Sequence, residues 1–382
     1  MIIEGTGIEL RAREELFINL EPLQRGGVMP SVARKVALCY IDGYSTCDYC
    51  LGTLHINTKP AVREFLESLS KFLQMDFSII TNGCREAKFA VMHAIASPGD
   101  SIVMDANRHY TSLLAAERIG LKVYEVPNTG YPEFKVLPQA YAETFEMVRR
   151  ETGRLPALAL LTHVDWLYGN LSDAKGIGKV CEDYGIPFLL NTAYSSGRMP
   201  INGKELMADF ITGSGHKSWA AGAGTVGILA LSEEWIPKLL KPSKAYNVKP
   251  LEILGCSARG SSTLALMASF PHVKERVARW DEEVAKARWF SEKMEALGGI
   301  FQIGEKPHNH DLLRFETPAL DRIAKVHPRK GFFLYDELFK RKIVGIKPGR
   351  TRSFEVSTYG LSRDQLSYVI DAFEEILKKY GR

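Results

Sequence analysis

Residues 211–219 read Ile-Thr-Gly-Ser-Gly-His-Lys-Ser-Trp, and a second glycine-rich stretch, Gly-Ala-Gly-Thr, follows at 222–225. A β-rich run ends here in a turn of small residues, and Lys217 comes directly after that turn. A lysine that forms a Schiff base needs a rigid seat and a lowered pKa, which a partly desolvated turn supplies. Ser214 and His216 carry groups that hydrogen-bond anions. A surface lysine after a strand explains the motif equally well. Other parts of the sequence are needed to choose between a Schiff-base lysine and a surface lysine.

Short β-rich runs alternate with helical stretches from residue 77 onward. This alternation predicts an α/β fold with a mostly parallel, seven-stranded sheet. Active sites in such sheets lie at the carboxyl ends of the strands. The predicted strands are Phe77–Thr81, Ser101–Asp105, Lys122–Val126, Ala157–Thr162, Pro187–Asn191, Asp209–Gly213 and Thr225–Leu231.

The alternation stops near residue 250, which predicts a change of domain. Residues 1–60 are expected to form an N-terminal extension, residues 61–250 the large domain, and residues 251–382 a smaller α+β C-terminal domain. Within the last segment, the spacing of apolar residues predicts a long charged helix over Pro271–Leu297 and a final helix over Arg363–Tyr380.

Composition and charge set broad limits. The 382 residues are 45% hydrophobic and 25% charged, and the formal net charge of +4 permits an acidic partner such as phosphate or RNA without demanding one. The charged N-terminus and the lack of a long apolar run predict a cytoplasmic protein with no membrane association. The six cysteines are then expected to be reduced, and Cys39, Cys84 and Cys181 are interpreted as buried or structural thiols.

Other unusual residues also follow predicted strands. Thr81-Asn82-Gly83-Cys84-Arg85 is a strand end, a glycine turn and a helix start, and helix N-termini bind phosphate through free N–H groups. His109 follows the second strand and can stack on a planar cofactor. Asn191 ends an apolar strand, and Lys217 comes 26 residues later. Each feature alone is explained as an ordinary turn or loop residue.

The order of these features resembles the fold-type I pyridoxal-phosphate enzymes, above all their cysteine-desulfurase branch. The resemblance implies that Lys217 is the Schiff-base residue, that His109 stacks on the cofactor, and that Asn191 contacts the pyridine nitrogen. The cofactor phosphate is expected to meet Gly83, Cys84 and Arg85, with Ser214 and His216 closing the site.

Asn191 departs from the pattern, because most of the superfamily has an aspartate there. An aspartate keeps the pyridine nitrogen protonated, which makes the ring a strong electron sink. A neutral amide supplies no such charge. A weaker sink suits a reaction that expels a good leaving group, such as phosphate, from Cβ, and it disfavours transamination.

The N-terminal segment narrows the resemblance. Residues 19–27 read Asn-Leu-Glu-Pro-Leu-Gln-Arg-Gly-Gly, and a Cys-x-x-Cys pair follows at Cys47 and Cys50. Together with Cys256, this arrangement resembles the archaeal O-phosphoseryl-tRNA:cysteinyl-tRNA synthase family. The resemblance implies that the three cysteines are essential, either handling sulfur as a persulfide or binding a 4Fe–4S cluster. Zinc binding or chance remains the alternative for the pair alone.

The implied substrate is tRNA(Cys) carrying phosphoserine, which the enzyme converts to cysteinyl-tRNA(Cys), with Lys217 as general base. A homodimer and phosphoseryl-tRNA synthetase are the expected partners. The alternatives are a cysteine desulfurase or selenocysteine lyase acting on a free amino acid, and a non-catalytic scaffold. The residues expected to contact the substrate or its leaving phosphate are Arg85, Arg108, His109, Tyr110, Lys244 and Arg350; Arg350 is explained equally well as a solvated charge.

Overall fold

The computed structural model describes residues 2–3, 8–9, 16–42, 61–247, 249–253 and 260–381. Its strands are β1 (Ile2–Ile3), β2 (Ile8–Glu9), β3 (Ile18–Asn19), β4 (Phe77–Thr81), β5 (Ser101–Asp105), β6 (Lys122–Val126), β7 (Leu158–Thr162), β8 (Phe188–Asn191), β9 (Phe210–Ser214), β10 (Gly227–Leu231), β11 (Phe301–Ile303), β12 (Leu312–Glu316), β13 (Ile343–Val344) and β14 (Ser353–Ser357).

The helices are α1 (Pro22–Arg25), α2 (Ser31–Cys39), α3 (Val62–Leu73), α4 (Cys84–Ile95), α5 (Tyr110–Ile119), α6 (Pro138–Thr152), α7 (Ala174–Tyr184), α8 (Ile236–Leu239), α9 (Gly260–Val277), α10 (Trp280–Ala296), α11 (Pro318–Val326), α12 (Phe333–Lys340) and α13 (Arg363–Tyr380). Short 3-10 turns cover Glu233–Trp235 and Lys330–Phe332. No helix within the described ranges is both long and apolar enough to cross a membrane.

The chain forms two compact units, and each of them combines segments that are distant in the sequence. The larger comprises residues 26–282 and 304–310, and the smaller comprises residues 1–25, 283–303 and 311–382. The predicted domain boundaries at residues 60 and 250 stay a prediction. The single helix predicted over residues 271–297 is wrong: α9 and α10 replace it, and Pro271 lies inside α9.

Pro271 misled the sequence interpretation because proline usually marks a helix start or ends a helix. In α9, however, the apolar residues on both sides of the proline, including Leu266, Phe270 and Val273, pack into the core of the larger unit. A proline inside a helix removes one backbone hydrogen bond and clashes with the preceding turn, which together cost about 3 kcal/mol. The burial of these apolar side chains offsets that cost.

The larger unit contains a seven-stranded sheet in the order β4-β10-β9-β8-β7-β5-β6. All neighbours pair in parallel except β10, which runs antiparallel to both β9 and β4. The predicted mostly parallel, seven-stranded sheet is therefore confirmed, and the strand bounds agree to within two residues. Central strands such as β7 and β9 are buried at every position, as expected when helices cover both faces.

Successive side chains of the sheet point to opposite faces and enter two separate cores. Phe188 and Leu190 pack into one core, whereas Leu189 between them packs into the other. The second core also receives the buried sides of α4 and α5, for example Ala87 and Ala116. These two helices follow β4 and β5, so their N-termini lie at the carboxyl ends of those strands, where the predicted site residues are.

The smaller unit is built on the three-stranded antiparallel sheet β11-β12-β14 and the parallel pair β3-β13. Its core takes Leu20 from the N-terminal segment together with apolar residues of the last helix, such as Phe373. Ser362 begins that helix with a capping box that pairs it with Gln365. The first residues of the distinctive stretch from residue 19 onward thus have a structural role. The Leu20 N–H donates to the Val344 carbonyl, and the Leu20 carbonyl accepts the Ser357 N–H.

Candidate active site

Lys217 lies three residues beyond the end of β9, in a turn closed by its backbone N–H, which donates to the Ser214 carbonyl at 3.2 Å. Its Nζ lies 4.3 Å from the centroid of the Tyr194 ring. Burial lowers the pKa of Lys217 to about 8; Cys84 opposes this shift, and the cations Lys88, Arg198 and Arg85 add to it. A lysine with this pKa is a better nucleophile and base near neutral pH than an exposed lysine.

Gly227 brings the turn after β4 next to the Lys217 turn. As the first residue of antiparallel β10, it pairs with Thr81 at the end of β4 on one side and with Ser214 at the end of β9 on the other. A Cβ at this position would come within 2.3 Å of the Gly83 carbonyl carbon and 2.6 Å of the Cys84 nitrogen. Only glycine allows the backbones to approach so closely.

The turn after β4 has the features of an anion site. Gly83 precedes α4 with φ +107°, a value that favours glycine, and the Thr81 hydroxyl donates to its carbonyl at 3.0 Å. Arg85 is exposed, and no carboxylate of the described residues pairs with it. Its charge contributes to lowering the pKa of His109, His216 and Lys217, so it lies within electrostatic range of all three.

Asn191 ends β8 with its side chain buried. Its Oδ1 accepts the Ala193 N–H at 3.3 Å and the Cys84 thiol at 3.4 Å. Because an N–H only donates, the oxygen must face Ala193, and the orientation of the amide follows. The Asn191 Nδ2 group has no acceptor among the described residues. The site therefore presents a neutral hydrogen-bond donor at this position.

His109 precedes α5 and caps it: its Nδ1 accepts the Thr111 N–H at 3.3 Å and lies 2.9 Å from the Thr111 hydroxyl. Burial lowers the pKa of His109 to about 4, and the charges of Lys217, Lys88 and Arg85 act in the same direction. His109 is therefore neutral at pH 7. Its ring also lies 4.4 Å from that of Tyr110, so Tyr110 is next to the predicted stacking residue.

Three other residues were predicted to contact the substrate, and the structure gives the surroundings of each. Arg108 forms an ion pair with Glu125 at 2.5 Å, so its guanidinium is already engaged. Lys244 is exposed on a loop of the larger unit, and Arg350 is exposed in the smaller unit. Their substrate contacts stay predictions.

Cys47, Cys50 and Cys256 lie outside the described residues, and within the described ranges no three His, Cys, Asp or Glu side chains are grouped to hold a metal. Cys84 and Cys181 are buried, as predicted. Cys39 was predicted to be a buried or structural thiol, and burial is wrong for it, because it ends α2 at an exposed position.

Sequence reasoning missed three cations and an aromatic ring near Lys217. Lys88 is buried on α4, and Tyr194 lies under the Lys217 ammonium. The buried Arg198 donates to the Ser218 hydroxyl at 3.1 Å, and Arg276 donates to the Ser218 carbonyl. These contacts clamp the residue next to Lys217. The spacing of Lys88, one helical turn after Cys84, places it on the same face of α4 but did not indicate its burial.

The donors fit pyridoxal phosphate. A lysine with a lowered pKa, a neutral amide donor and a glycine turn followed by an exposed arginine match its aldehyde, its pyridine nitrogen and its phosphate, respectively. A buried amide donor without an acceptor is costly unless it meets one. The α/β fold and this site together define the class, a fold-type I pyridoxal-phosphate-dependent transferase.

Comparisons with known proteins agree with this class and narrow it. At the level of fold alone, an apo cysteine desulfurase from Thermococcus onnurineus NA1 superposes with a TM-score of 0.75 at 18% identity, over 97% of this chain and 99% of that chain. The family described as O-phosphoseryl-tRNA(Sec) selenium transferase, SepSecS, matches residues 90–378.

Curated relatives are similar over nearly the whole chain. The O-phospho-L-seryl-tRNA:Cys-tRNA synthase of Methanothermobacter thermautotrophicus is 51% identical over 97% of each chain, and that of Methanocaldococcus jannaschii is 52% identical over 95% of this chain and 96% of its own. A crystal structure of a SepCysS-SepCysE N-terminal domain complex has a TM-score of 0.90 at 50% identity, over 97% and 96% of the two chains. The chain therefore belongs to the SepSecS family and, within it, to the O-phosphoseryl-tRNA:Cys-tRNA synthases, as its sequence predicted.

Proposed function

We propose that this chain converts O-phosphoseryl-tRNA(Cys) to cysteinyl-tRNA(Cys) with pyridoxal phosphate as cofactor. The observation that carries the proposal is the Asn191 amide, a neutral donor at the expected pyridine contact, in a chain about 50% identical to relatives that bear this activity in their names. In the overall reaction, sulfide replaces phosphate on Cβ. Phosphate departs with the C–O bonding pair, and the Cα proton is removed and later returned.

Lys217 is the residue that would hold the cofactor and move the proton. Bound pyridoxal phosphate supplies an electron sink that lets a proton leave Cα and a leaving group depart from Cβ. Lys217 Nζ, with its pKa near 8, accepts the Cα proton as the free amine and returns it as the ammonium. Tyr194, whose ring lies 4.3 Å away, limits where that nitrogen can move.

The Asn191 amide favours replacement over transamination. As a donor without charge, it pairs with an unprotonated nitrogen and does not stabilise a positive charge on it. Stabilisation of the carbanion is then modest, which is sufficient when phosphate leaves at once. A long-lived carbanion would instead permit protonation at a carbon other than Cα, which leads to transamination.

The phosphate groups need cations. Arg85 is the strongest candidate because it is exposed and has no carboxylate partner in the described ranges. His216 lies in the turn after β9, with its Nδ1 3.2 Å from the Ser214 hydroxyl, and is proposed to close the phosphate site from that side. Tyr110, Lys244 and Arg350 are proposed to meet the tRNA end. Arg108 would have to release Glu125 to take part.

Sulfur is proposed to reach the site through Cys47, Cys50 and Cys256. A Cys-x-x-Cys pair has a lowered thiol pKa and a ready resolving partner, which suits a persulfide carrier. Alternatively, the three thiolates would hold a 4Fe–4S cluster, which would supply sulfide to the site.

We further propose that the chain is a homodimer, that phosphoseryl-tRNA synthetase supplies its substrate, and that it binds a protein of the SepCysE kind, as in the related SepCysS-SepCysE complex.

The deciding assay supplies phosphoseryl-tRNA(Cys) and sulfide and measures phosphate and cysteinyl-tRNA. Parallel reactions contain free phosphoserine, free cysteine, or phosphoseryl-tRNA(Sec). Product from acylated tRNA(Cys) alone supports the proposal, whereas sulfide release from free cysteine without tRNA product identifies a desulfurase. Lys217→Ala should abolish the reaction. Lys175→Ala, at an exposed lysine of α7, should leave it unchanged.

A further inference from the structure

Lys88 is a buried cation to which the proposed reaction assigns no role. Its side chain is 2% exposed, and its ammonium donates to the Thr111 hydroxyl at 2.8 Å and to the Ser112 hydroxyl at 2.9 Å. No carboxylate in the described part of the chain forms an ion pair with it. Burying an ammonium without an ion-pair partner is costly, and burial lowers the pKa of Lys88, although the nearby Cys84 and Asp105 oppose that shift. A position that tolerates this cost calls for a reason.

The Thr111 hydroxyl connects this ammonium to His109. It accepts from Lys88, an ammonium that can only donate, so its own proton remains available for a second partner. That partner is His109 Nδ1, 2.9 Å away. The Thr111 backbone N–H also donates to the same nitrogen at 3.3 Å. Two donors aimed at Nδ1 require it to carry a lone pair, which leaves the proton of the neutral ring on Nε2.

We propose that Lys88 is a positioning residue that acts through Thr111 to keep His109 neutral, with its proton on Nε2. His109 then offers a hydrogen-bond donor at Nε2 and competes poorly with Lys217 for a proton. The effect on the reaction rests on the proposed function. The tautomer itself does not, because it can be measured whether or not the protein acts on phosphoseryl-tRNA.

Electrostatics support the same arrangement. The two hydrogen bonds place the Lys88 ammonium within about 6 Å of His109 Nδ1, a range in which a neighbouring cation lowers the pKa of a histidine. The groups whose charges face His109 are Lys217, from the turn after β9, and Lys88 and Arg85, from α4; all three lower its pKa. Only Lys88 also reaches His109 through a hydrogen-bonded relay.

The chain offers a matched set of variants. Lys88→Met removes the cation and keeps the volume. Thr111→Val breaks the relay, and Thr111→Ser keeps the hydroxyl. Ser112→Ala removes the other hydrogen bond of Lys88 and leaves the relay intact. The measurement is ¹H–¹⁵N correlation spectroscopy of the holoprotein with labelled histidine, in which the His109 resonances are assigned by their loss in His109→Gln.

The native protein should show Nδ1 as the unprotonated nitrogen, with no titration of His109 above pH 5. Lys88→Met should raise the His109 pKa by roughly half a unit, since burial and Lys217 account for more of its shift, and Thr111→Val should mix the tautomers. Thr111→Ser and Ser112→Ala should match the native protein. In the tRNA assay, the first two variants should gain a new titration on the acid side of the rate profile.

Unchanged His109 spectra in Lys88→Met and Thr111→Val would overturn the proposal, and so would a Ser112→Ala spectrum that moves as far as that of Thr111→Val. If Lys88→Met fails to fold, the three hydroxyl variants still decide. If the tautomer behaves as expected but no substrate is turned over, the proposed function fails and this inference stands.

Discussion

Asn191→Asp tests why the site holds a neutral donor at the expected pyridine contact. The Ala193 N–H and the Cys84 thiol fix one oxygen of the new carboxyl group, as they fix Oδ1 of the amide. The second oxygen replaces the Nδ2 donor. In the protein without cofactor, a carboxylate there is buried with only these two donors.

The size of the effect follows from a comparable carboxylate in the same sheet. Asp105, at the end of β5, is fully buried and accepts the Thr162 N–H at 2.8 Å, and burial raises its pKa from 3.8 to about 6. A shift of this size corresponds to about 3 kcal/mol between the two protonation states. The Asn191→Asp substitution should therefore destabilise the cofactor-free protein by about 2.5 kcal/mol more at pH 8 than at pH 4.

The linkage between proton binding and folding gives the direction of the pH effect on the unfolding free energy. A carboxyl group whose pKa is raised in the folded state binds its proton more tightly when folded. Its contribution to stability is fully present below the unfolded pKa and is lost as the pH rises through the folded pKa. The difference in unfolding free energy between Asn191→Asp and the native protein should thus grow between about pH 4 and pH 6, and then stay constant.

Urea denaturation of both proteins across this pH range measures the difference. Asn202→Asp is the matched control, because Asn202 is exposed and its Oδ1 also accepts a backbone N–H, that of Glu205 at 3.1 Å. A pH-independent penalty for Asn191→Asp, or one equal to that of Asn202→Asp, would refute the reasoning. With cofactor bound, the carboxylate gains a protonated pyridine nitrogen as partner, so the penalty should fall, the visible absorbance should change and side transamination should increase.

Three further predictions concern the cofactor and sulfur. Borohydride should trap pyridoxal phosphate on the peptide that contains Lys217, and a reducible linkage retained in Lys217→Ala would contradict the assignment. Arg85→Met should weaken cofactor binding roughly 10- to 100-fold, since a hydrogen bond to a charged group contributes about 1.5–3 kcal/mol; Arg85→Lys should lose less, and equal absorbance titrations for all three proteins would count against a phosphate contact. Alanine variants of Cys47, Cys50 and Cys256 should bind cofactor and release phosphate from phosphoseryl-tRNA yet form little cysteinyl-tRNA; normal product would remove their sulfur role, and a matching loss of melting temperature and cofactor would favour a structural one.

The local sequence pattern alone was enough to predict the strands of the large sheet and the family of the protein. Central strands such as β7 and β8 are nearly continuous apolar runs, and this signal survives in the sequence because a strand covered on both faces needs apolar side chains at almost every position. The order of Gly83, His109, Asn191 and Lys217 was equally visible, since each ends a strand or follows the end of one.

Tertiary structure decided which of these residues meet and in what state. Antiparallel β10, inserted between β4 and β9, joins the glycine turn to Lys217, and no local pattern specifies that pairing. Arg108 resembled a free cation in the sequence but pairs with Glu125 from the neighbouring strand. Lys88 resembled any lysine of a surface helix. Its burial against Thr111 depends on the packing of α4 on α5, and so do its effect on His109 and the low pKa of that histidine, because desolvation and charge proximity arise only in the folded chain.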